Sequence, residues 1–439
     1  MDDRTLADAV AQGGRLRALV LELWQRTRMD WGFVTDRLAV TFRKEKWVGA
    51  HERRFVSETL YGLVRNLRRV DLAIERGRRT KQAPRDLERL IALLVLEQLI
   101  DAVQAKRCVP DVDWSAAAGV DAAIAGERKI AQRIALAASL PDWLAARLVA
   151  DWGDEAEALA LALNQRAPMT VRANTLVASR DELAAELGKE GLATHAGRWS
   201  DTALIVDSRT NLFATKAFAR GAFEAQDEGS QLLAELPIPA APKPIVVDYC
   251  AGAGGKTLAI AARLANRGRI VATDVDDGKL EELRRRARRA TVSNARALQL
   301  GANDREIDAL RGQCDAVLVD APCSGIGALR RNPEARWRLR EDELPSFARR
   351  QQDIARAAAA LLAPGGRLVY ATCSLLACEN QDVVAALTAP GSELAALPLA
   401  DVLGPRAQAL AAGDALTVTP HVHGTDGFYA CVLRKHSSE

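Results

Sequence analysis

The chain is short of the residues that mark several protein classes. Its seven cysteines form no C-x-x-C pair and its five histidines lie dispersed among 439 residues, so neither a disulfide framework nor a zinc site is expected. No apolar run approaches the roughly 18 residues of a membrane span. The opening Met1-Asp2-Asp3-Arg4 carries neither a basic nor an apolar leader region. These absences predict a soluble, cytoplasmic protein with no metal and no membrane partner. Aromatic residues are only 5%, against 49% hydrophobic and 27% charged, which fits a globular, alanine-rich and helix-rich chain.

Charge of one sign is scarce as well, with 60 Lys and Arg against 57 Asp and Glu, yet its distribution is uneven. Residues 1–90 hold 20 basic and 13 acidic side chains, which leaves +7 there and −4 for the rest. Such an asymmetry fits a polyanionic partner or a set of solvated helix faces. At about 150 residues per domain, the length predicts about three domains.

From Leu16 to about Ala138, apolar residues recur with helical spacing in Arg15–Gln25, Thr35–Phe42, Glu52–Asn66, Val70–Glu75 and Arg85–Ile100. This predicts an all-α domain over 1–138, with a basic stripe from Arg53 to Arg69 on which RNA would sit. Residues 139–236 read as a small α+β linker domain, with helices at Pro141–Ala150 and Glu155–Gln165 and an extended Pro168–Asn174. Pro237 to Pro244 then places four prolines in eight residues, a loop at which a catalytic domain over 237–439 begins.

Beyond it the pattern alternates. Strands are predicted at Ile245–Tyr249, Arg269–Asp274, Ala316–Asp320 and Gly366–Ala371. Helices are predicted at Lys256–Ala265, Asp277–Thr291, Pro345–Leu362 and Asn380–Leu387. Such alternation implies βαβ crossovers and a parallel sheet, which Ala415–Thr419 and Gly427–Leu433 close as antiparallel strands.

Cys250-Ala251-Gly252-Ala253-Gly254-Gly255-Lys256 is a glycine-rich turn between the first strand and its helix, where backbone can approach a cofactor. It is not a phosphate-binding P-loop, because Cys250 stands where that motif needs glycine. Nor is it G-x-G-x-x-G, because Thr257 replaces the last glycine. Asp274 ends the next strand, placed either to accept the hydroxyls of a ribose or to cap a helix together with Asp276 and Asp277. With the loop before it, this points to an adenosine-containing cofactor. Lys256 reads equally as an exposed first-turn lysine.

Two further segments, Asp320-Ala321-Pro322-Cys323-Ser324-Gly325 and Ala371-Thr372-Cys373-Ser374, follow apolar strands and bring a carboxylate and two thiols to one sheet edge. Singly, each cysteine reads as an inert buried residue; jointly they read as a site, while Cys108, Cys250, Cys314, Cys378 and Cys431 keep the inert reading. The run Arg284 to Arg289 fits a solvated helix face or phosphate contact. Arg330 to Arg338, with Trp337, is expected to grip RNA.

The paired cysteine motifs resemble those of the S-adenosylmethionine-dependent RNA 5-methylcytosine methyltransferases. The resemblance covers about Pro141 to Leu433, including Arg172-Ala173-Asn174, Gly221 to Gln231 and Asp426-Gly427-Phe428-Tyr429. Arg54 to Glu58, with Tyr61-Gly62 and Arg65-Asn66, is similar to the RNA-binding antitermination factor NusB. The implied fold is α/β: a Rossmann-like S-adenosylmethionine methyltransferase domain preceded by an all-α NusB-like domain and the small α+β linker.

Carbon 5 of cytosine is a poor nucleophile, so a thiolate must first add to carbon 6, and a carboxyl group at N3 eases that addition. The resemblance assigns Cys373 as nucleophile, Cys323 as the residue that assists release and Asp320 to N3; spacing alone does not choose between the thiols. It places S-adenosylmethionine on Cys250, Ala251, Gly252, Ala253, Gly254, Gly255, Lys256, Asp274, Asp320 and Asp304. It further implies action on RNA, with small-subunit (16S) ribosomal RNA as substrate; a monomer is expected. The sequence departs from the family at Ala251-Gly252-Ala253, where relatives often have Ala-Pro, and at Leu300 to Asp304, where they commonly have an Asp-Gly turn. Competing readings are a transfer RNA substrate, a non-catalytic RNA-binding or assembly factor, and a nucleotide-dependent oxidoreductase; the last leaves both cysteine motifs unused.

Overall fold

The computed structural model describes residues 2–78, 82–207 and 211–437. Among them no helix is long and apolar enough to cross a membrane. Contacts divide the chain into two compact units, residues 1–166 with 328–341, and residues 167–327 with 342–439. This division differs from the three-part expectation. Helices Asp142–Trp152 and Ala156–Asn164, expected in a linker domain, belong with the N-terminal helices, and so does 328–341, expected in the catalytic domain.

The first unit is helical, as its periodicity dictates. Its core gathers Leu23, Trp24, Phe55, Leu60, Leu63, Ile74 and Leu90, all essentially without solvent exposure. The two helices expected between Glu52 and Glu75 are one, Ala50–Gly77, with non-helical backbone at Asn66 (φ −115°, ψ 15°). Asn66 Nδ2 donates to the Gly62 carbonyl at 3.0 Å, a local bond that competes with regular helix geometry.

The basic stripe is already engaged within the unit. Arg54 pairs with Asp3, Arg69 with Asp121 and Arg68 with Asp142, while Arg53 donates to the Val48 carbonyl and Arg65 to that of Arg330. The 328–341 segment is a structural insert. Arg336 is fully buried and donates to the Ala138 carbonyl at 2.7 Å and to Asn164 Oδ1 at 2.8 Å. Trp337 donates to the Val64 carbonyl at 3.0 Å and lies 5.7 Å from the Trp31 ring. The expectation that these two residues grip RNA is therefore corrected: they hold this unit together.

The second unit contains two sheets. The smaller is antiparallel, in the order β2-β3-β1-β4, from β1 (Met169–Ala173), β2 (Thr194–Ala196), β3 (Ala203–Val206) and β4 (Phe223–Ala225). Asn174, just past β1, donates to the carbonyls of Gly221 and Ala290, both at 2.9 Å, and so ties this sheet to the helix Asp277–Arg289.

The larger sheet is built on five parallel strands: β5 (Ile245–Asp248), β6 (Arg269–Asp274), β7 (Ala295–Gln299), β8 (Cys314–Asp320) and β9 (Leu362–Thr372). Their order is β7-β6-β5-β8-β9, and the C-terminal strand Phe428–Lys435 runs antiparallel beside β9. Val246, Val247 and the run from Ala316 to Val319 are fully buried, as strands covered on both faces require. The strand order reverses between β5 and β8. Open α/β sheets bind ligands at the carboxyl ends of the strands flanking such a point.

Candidate active site

Every residue expected at the site except Asp304 falls on the carboxyl ends of β5, β6, β8 and β9. After β5 the chain turns through Gly252 (φ 52°) and Gly254 (φ 84°) into the helix Gly255–Arg263. These left-handed backbone angles favour glycine. A Cβ at Gly252 or Gly255 would meet no atom within 4 Å, so the loop presents bare backbone outward. Asp274 Oδ2 accepts from Gly252 N at 2.9 Å and its Oδ1 from Asp276 N at 2.9 Å, so the acid at the end of β6 shapes the loop after β5. An open glycine cradle with a carboxylate at its side fits an adenosine-bearing cofactor. Asp274 thus makes a turn contact to Asp276 and stands beside the cradle.

Asp304 follows β7, and Lys256 does not have the exposed position that one of its two readings gave it. Asp304 is exposed, and its Oδ1 closes a turn by accepting from Gly301 N at 2.8 Å. Lys256 is not an exposed lysine. Its side chain is 11% accessible, its Nζ lies 2.6 Å from Asp320 Oδ2, and it sits 5.7 Å from the centre of the Phe428 ring. Burial works against the Lys256 ammonium, but Asp320 and then Asp248 outweigh it and hold its pKa above the ordinary value. Cys250, the first residue of the loop, has its thiol pushed far up by burial, in keeping with the inert reading.

Asp248, at the end of β5, carries no motif that would single it out in the sequence. Only 1% exposed, it accepts from Thr257 Oγ1 at 2.6 Å, and burial raises its carboxyl to about 6.

Cys323 and Cys373 come together, with their sulfurs 3.4 Å apart. Gly327 N donates to the Cys373 carbonyl at 2.8 Å and its carbonyl accepts from Gly427 N at 2.9 Å. A Cβ at Gly327 would lie 2.1 Å from the Gly427 carbonyl oxygen, so only glycine permits this approach of three segments. The Cys323 thiol is raised well above its usual pKa, first by its hydrogen bond to Cys373 and then by burial. The contact lets the two sulfurs share a proton, with either as donor. Among the described residues no cluster of three His, Cys, Asp or Glu could hold a metal.

The run Arg284 to Arg289 divides, with Arg285 and Arg288 exposed and Arg286 and Arg289 drawn into the fold. Arg286 and Arg289 both pair with buried Glu224 of β4, and Arg286 also donates to the Ala253 carbonyl at 2.8 Å. Arg284 pairs with Glu281 and Arg285 with Glu282.

Comparison with known proteins gives this arrangement its class, that of the Rossmann-like methyltransferases. A methyltransferase homologue from Pyrococcus horikoshii shares the fold with a TM-score of 0.58 at 28% identity, covering 69% of this chain and 97% of that one. Residues 238–434 match 16S rRNA methyltransferase RsmB/F, and residues 140–212 match the ferredoxin-like domain of RsmF/B-like methyltransferases. A probable ribosomal RNA small subunit methyltransferase B from Synechocystis sp. is 30% identical over 409 residues, which is 88% of this chain and 91% of the relative. The enzyme of that name from Xanthomonas campestris pv. campestris is 34% identical over 306 residues, 68% of this chain and 67% of its own. The chain belongs to the RsmB/F family of RNA methyltransferases.

Proposed function

We propose that this protein methylates carbon 5 of a cytosine in small-subunit ribosomal RNA, in the cytoplasm and as a monomer, through a covalent adduct between Cys373 and carbon 6. The observation that carries the mechanism is the pair of sulfurs 3.4 Å apart at the ends of neighbouring strands, with Asp320 ending one of them. The names of the relatives favour ribosomal over transfer RNA.

In this reading the Cys373 thiolate adds to carbon 6, and the ring becomes an enamine whose carbon 5 is nucleophilic. A proton held between the Asp320 carboxyl group and N3 favours the addition, because it offsets the charge that the thiolate brings into the ring, while Lys256 Nζ, 2.6 Å from Asp320 Oδ2, keeps that carboxyl group oriented. S-adenosylmethionine, when bound, supplies the electrophilic methyl group; the loop from Cys250 to Lys256 and Asp274 are the residues that would hold it. A base then takes the carbon 5 proton, the freed electron pair re-forms the double bond between carbons 5 and 6, and the carbon 6–sulfur bond breaks to release Cys373 as a thiolate, with Cys323 as the group that assists release. The helical unit, by its likeness to NusB, is assigned to RNA.

Bisulfite sequencing of RNA from cells lacking the protein tests the substrate. A lost 5-methylcytosine in small-subunit ribosomal RNA is expected; a loss confined to transfer RNA, or none, overturns the assignment. Denaturing gels of labelled substrate RNA test the thiols. Cys373→Ala should form no adduct and no product, whereas Cys323→Ala should accumulate a denaturant-resistant adduct. The reverse pattern exchanges the two roles.

A further inference from the structure

Glu379 ends the short helical turn Ala377–Glu379, outside the strands that carry the thiols, and is fully buried. Its carboxylate accepts from four donors. Ser324 N at 2.8 Å and Gln351 Nε2 at 2.9 Å reach Oε1, and the hydroxyls of Ser324 and Ser374 reach Oε2. Ser324 follows Cys323 and Ser374 follows Cys373, so one side chain grips the residue after each thiol.

Its surroundings are equally fixed. Gln351 also donates to the Pro322 carbonyl at 3.0 Å and accepts from Tyr370 OH at 3.2 Å, and Tyr370 OH lies 2.6 Å from the Glu379 carbonyl. Next in sequence, Asn380 accepts from Thr372 Oγ1 at 2.6 Å and donates to the Ser374 carbonyl at 3.0 Å, bracketing Cys373 from both sides. A buried carboxylate is costly unless its lone pairs are filled, and here the groups that fill them belong to both thiol loops. A role in stability alone would not require the two loops to share one acceptor.

We propose that Glu379 is a positioning residue for methyl transfer: a clamp that sets the distance between Cys323 and Cys373. This rests on the function proposed above. Without the clamp the two loops separate, the two sulfurs lose their contact, and both addition and release slow.

The test uses the full chain with Glu379→Ala and Glu379→Gln. Glutamine keeps an oxygen for Ser324 N and Gln351, and its amide can donate to the two serine hydroxyl oxygens, so it preserves the tether without the charge. On unmodified 16S ribosomal RNA transcript, Glu379→Ala should lower kcat by about 100-fold, the scale of misplacement by an ångström, with the KM for RNA unchanged. Glu379→Gln should restore most of the rate. Diamide, which takes two electrons and two protons from a thiol pair and leaves a disulfide, reads the spacing without any substrate. Mass spectrometry should show the Cys323–Cys373 disulfide forming in wild type and Glu379→Gln, and about tenfold more slowly in Glu379→Ala.

If Glu379→Ala does not fold, the double variant Ser324→Ala and Ser374→Ala removes two donors and should act in the same direction. Unchanged kcat, unchanged cross-linking, or a glutamine variant as impaired as alanine would each overturn the clamp. A wild type inactive on the transcript would instead defeat the functional reading, while the diamide comparison still decides the clamp.

Discussion

A single buried carboxyl shows how far a residue can depart from its ordinary chemistry. Asp248 titrates near 6 instead of 3.8 because burial disfavours its charge. The group therefore contributes no penalty below about pH 4, and the folded state loses stability as pH rises from about 4 to about 6, by roughly 3 kcal/mol in all. Asp248→Asn should flatten that loss, so denaturant midpoints from pH 4 to 7 should converge at the acid end and favour the variant at neutral pH. Parallel curves would remove Asp248 from the pH response. Asp274→Ala should weaken S-adenosylmethionine binding by about 1 to 3 kcal/mol, the range for hydrogen bonds to charged groups; unchanged affinity by calorimetry would contradict its place in the cradle. Cys323, Cys373 and Asp320 are legible in the sequence because each lies in a short motif at a strand end. Glu379, Gln351 and Asp248 are not, because their partners are brought close only by tertiary packing.

Whole elements are legible where one pattern dominates. Strand Arg269–Asp274 matches its expectation to the residue, and β8 departs from it only at its first two positions. The apolar pattern starts β9 at Gly366, because Ala363-Pro364-Gly365 has the chemistry of a turn; the strand absorbs these residues at a register shift against β8 between Cys314 and Ala316. β7, at the sheet's edge, buries only Leu298 and so carries little apolar signal. The arginine-rich helix Asp277–Arg289 illustrates the limit of charge patterns, since its basic face turns out to bind acids of its own chain. Arg286→Ala leaves the Ala253 carbonyl without this donor and Glu224 with Arg289 alone. A loss of about 1 to 3 kcal/mol in unfolding free energy is expected, together with weaker cofactor binding. Loss of stability without any change in cofactor affinity would show that this arginine does not support the loop.

At the scale of the molecule, the first unit is discontinuous, and its closing segment lies between Cys323 and Cys373 in the sequence. The separate-domain reading predicts that deletion of residues 1–138 leaves a sound catalytic part. The structure predicts otherwise, because Trp337 and Arg336 lose the Val64 and Ala138 carbonyls that they bond. The truncated chain should melt earlier and be cut by protease within 328–341. A second variant, lacking 1–166 and with 328–341 replaced by a glycine–serine linker, should recover cooperative unfolding and bind S-adenosylmethionine. Equal melting of the 1–138 deletion and the full chain would show that the segment does not need its partners.

The discontinuity also has a consequence for how the protein is made. Residue 341 leaves the ribosome 175 residues after residue 166 (341 − 166), which at about 5 to 20 residues per second is a delay of roughly 9 to 35 s. Throughout that interval the nascent helical unit waits without Arg336 and Trp337, while strands β5 to β8 are being translated. A chain stalled between 166 and 328 carries an unfinished unit that proteases can recognise, so completeness of the N-terminal half reports that translation has already passed Cys323.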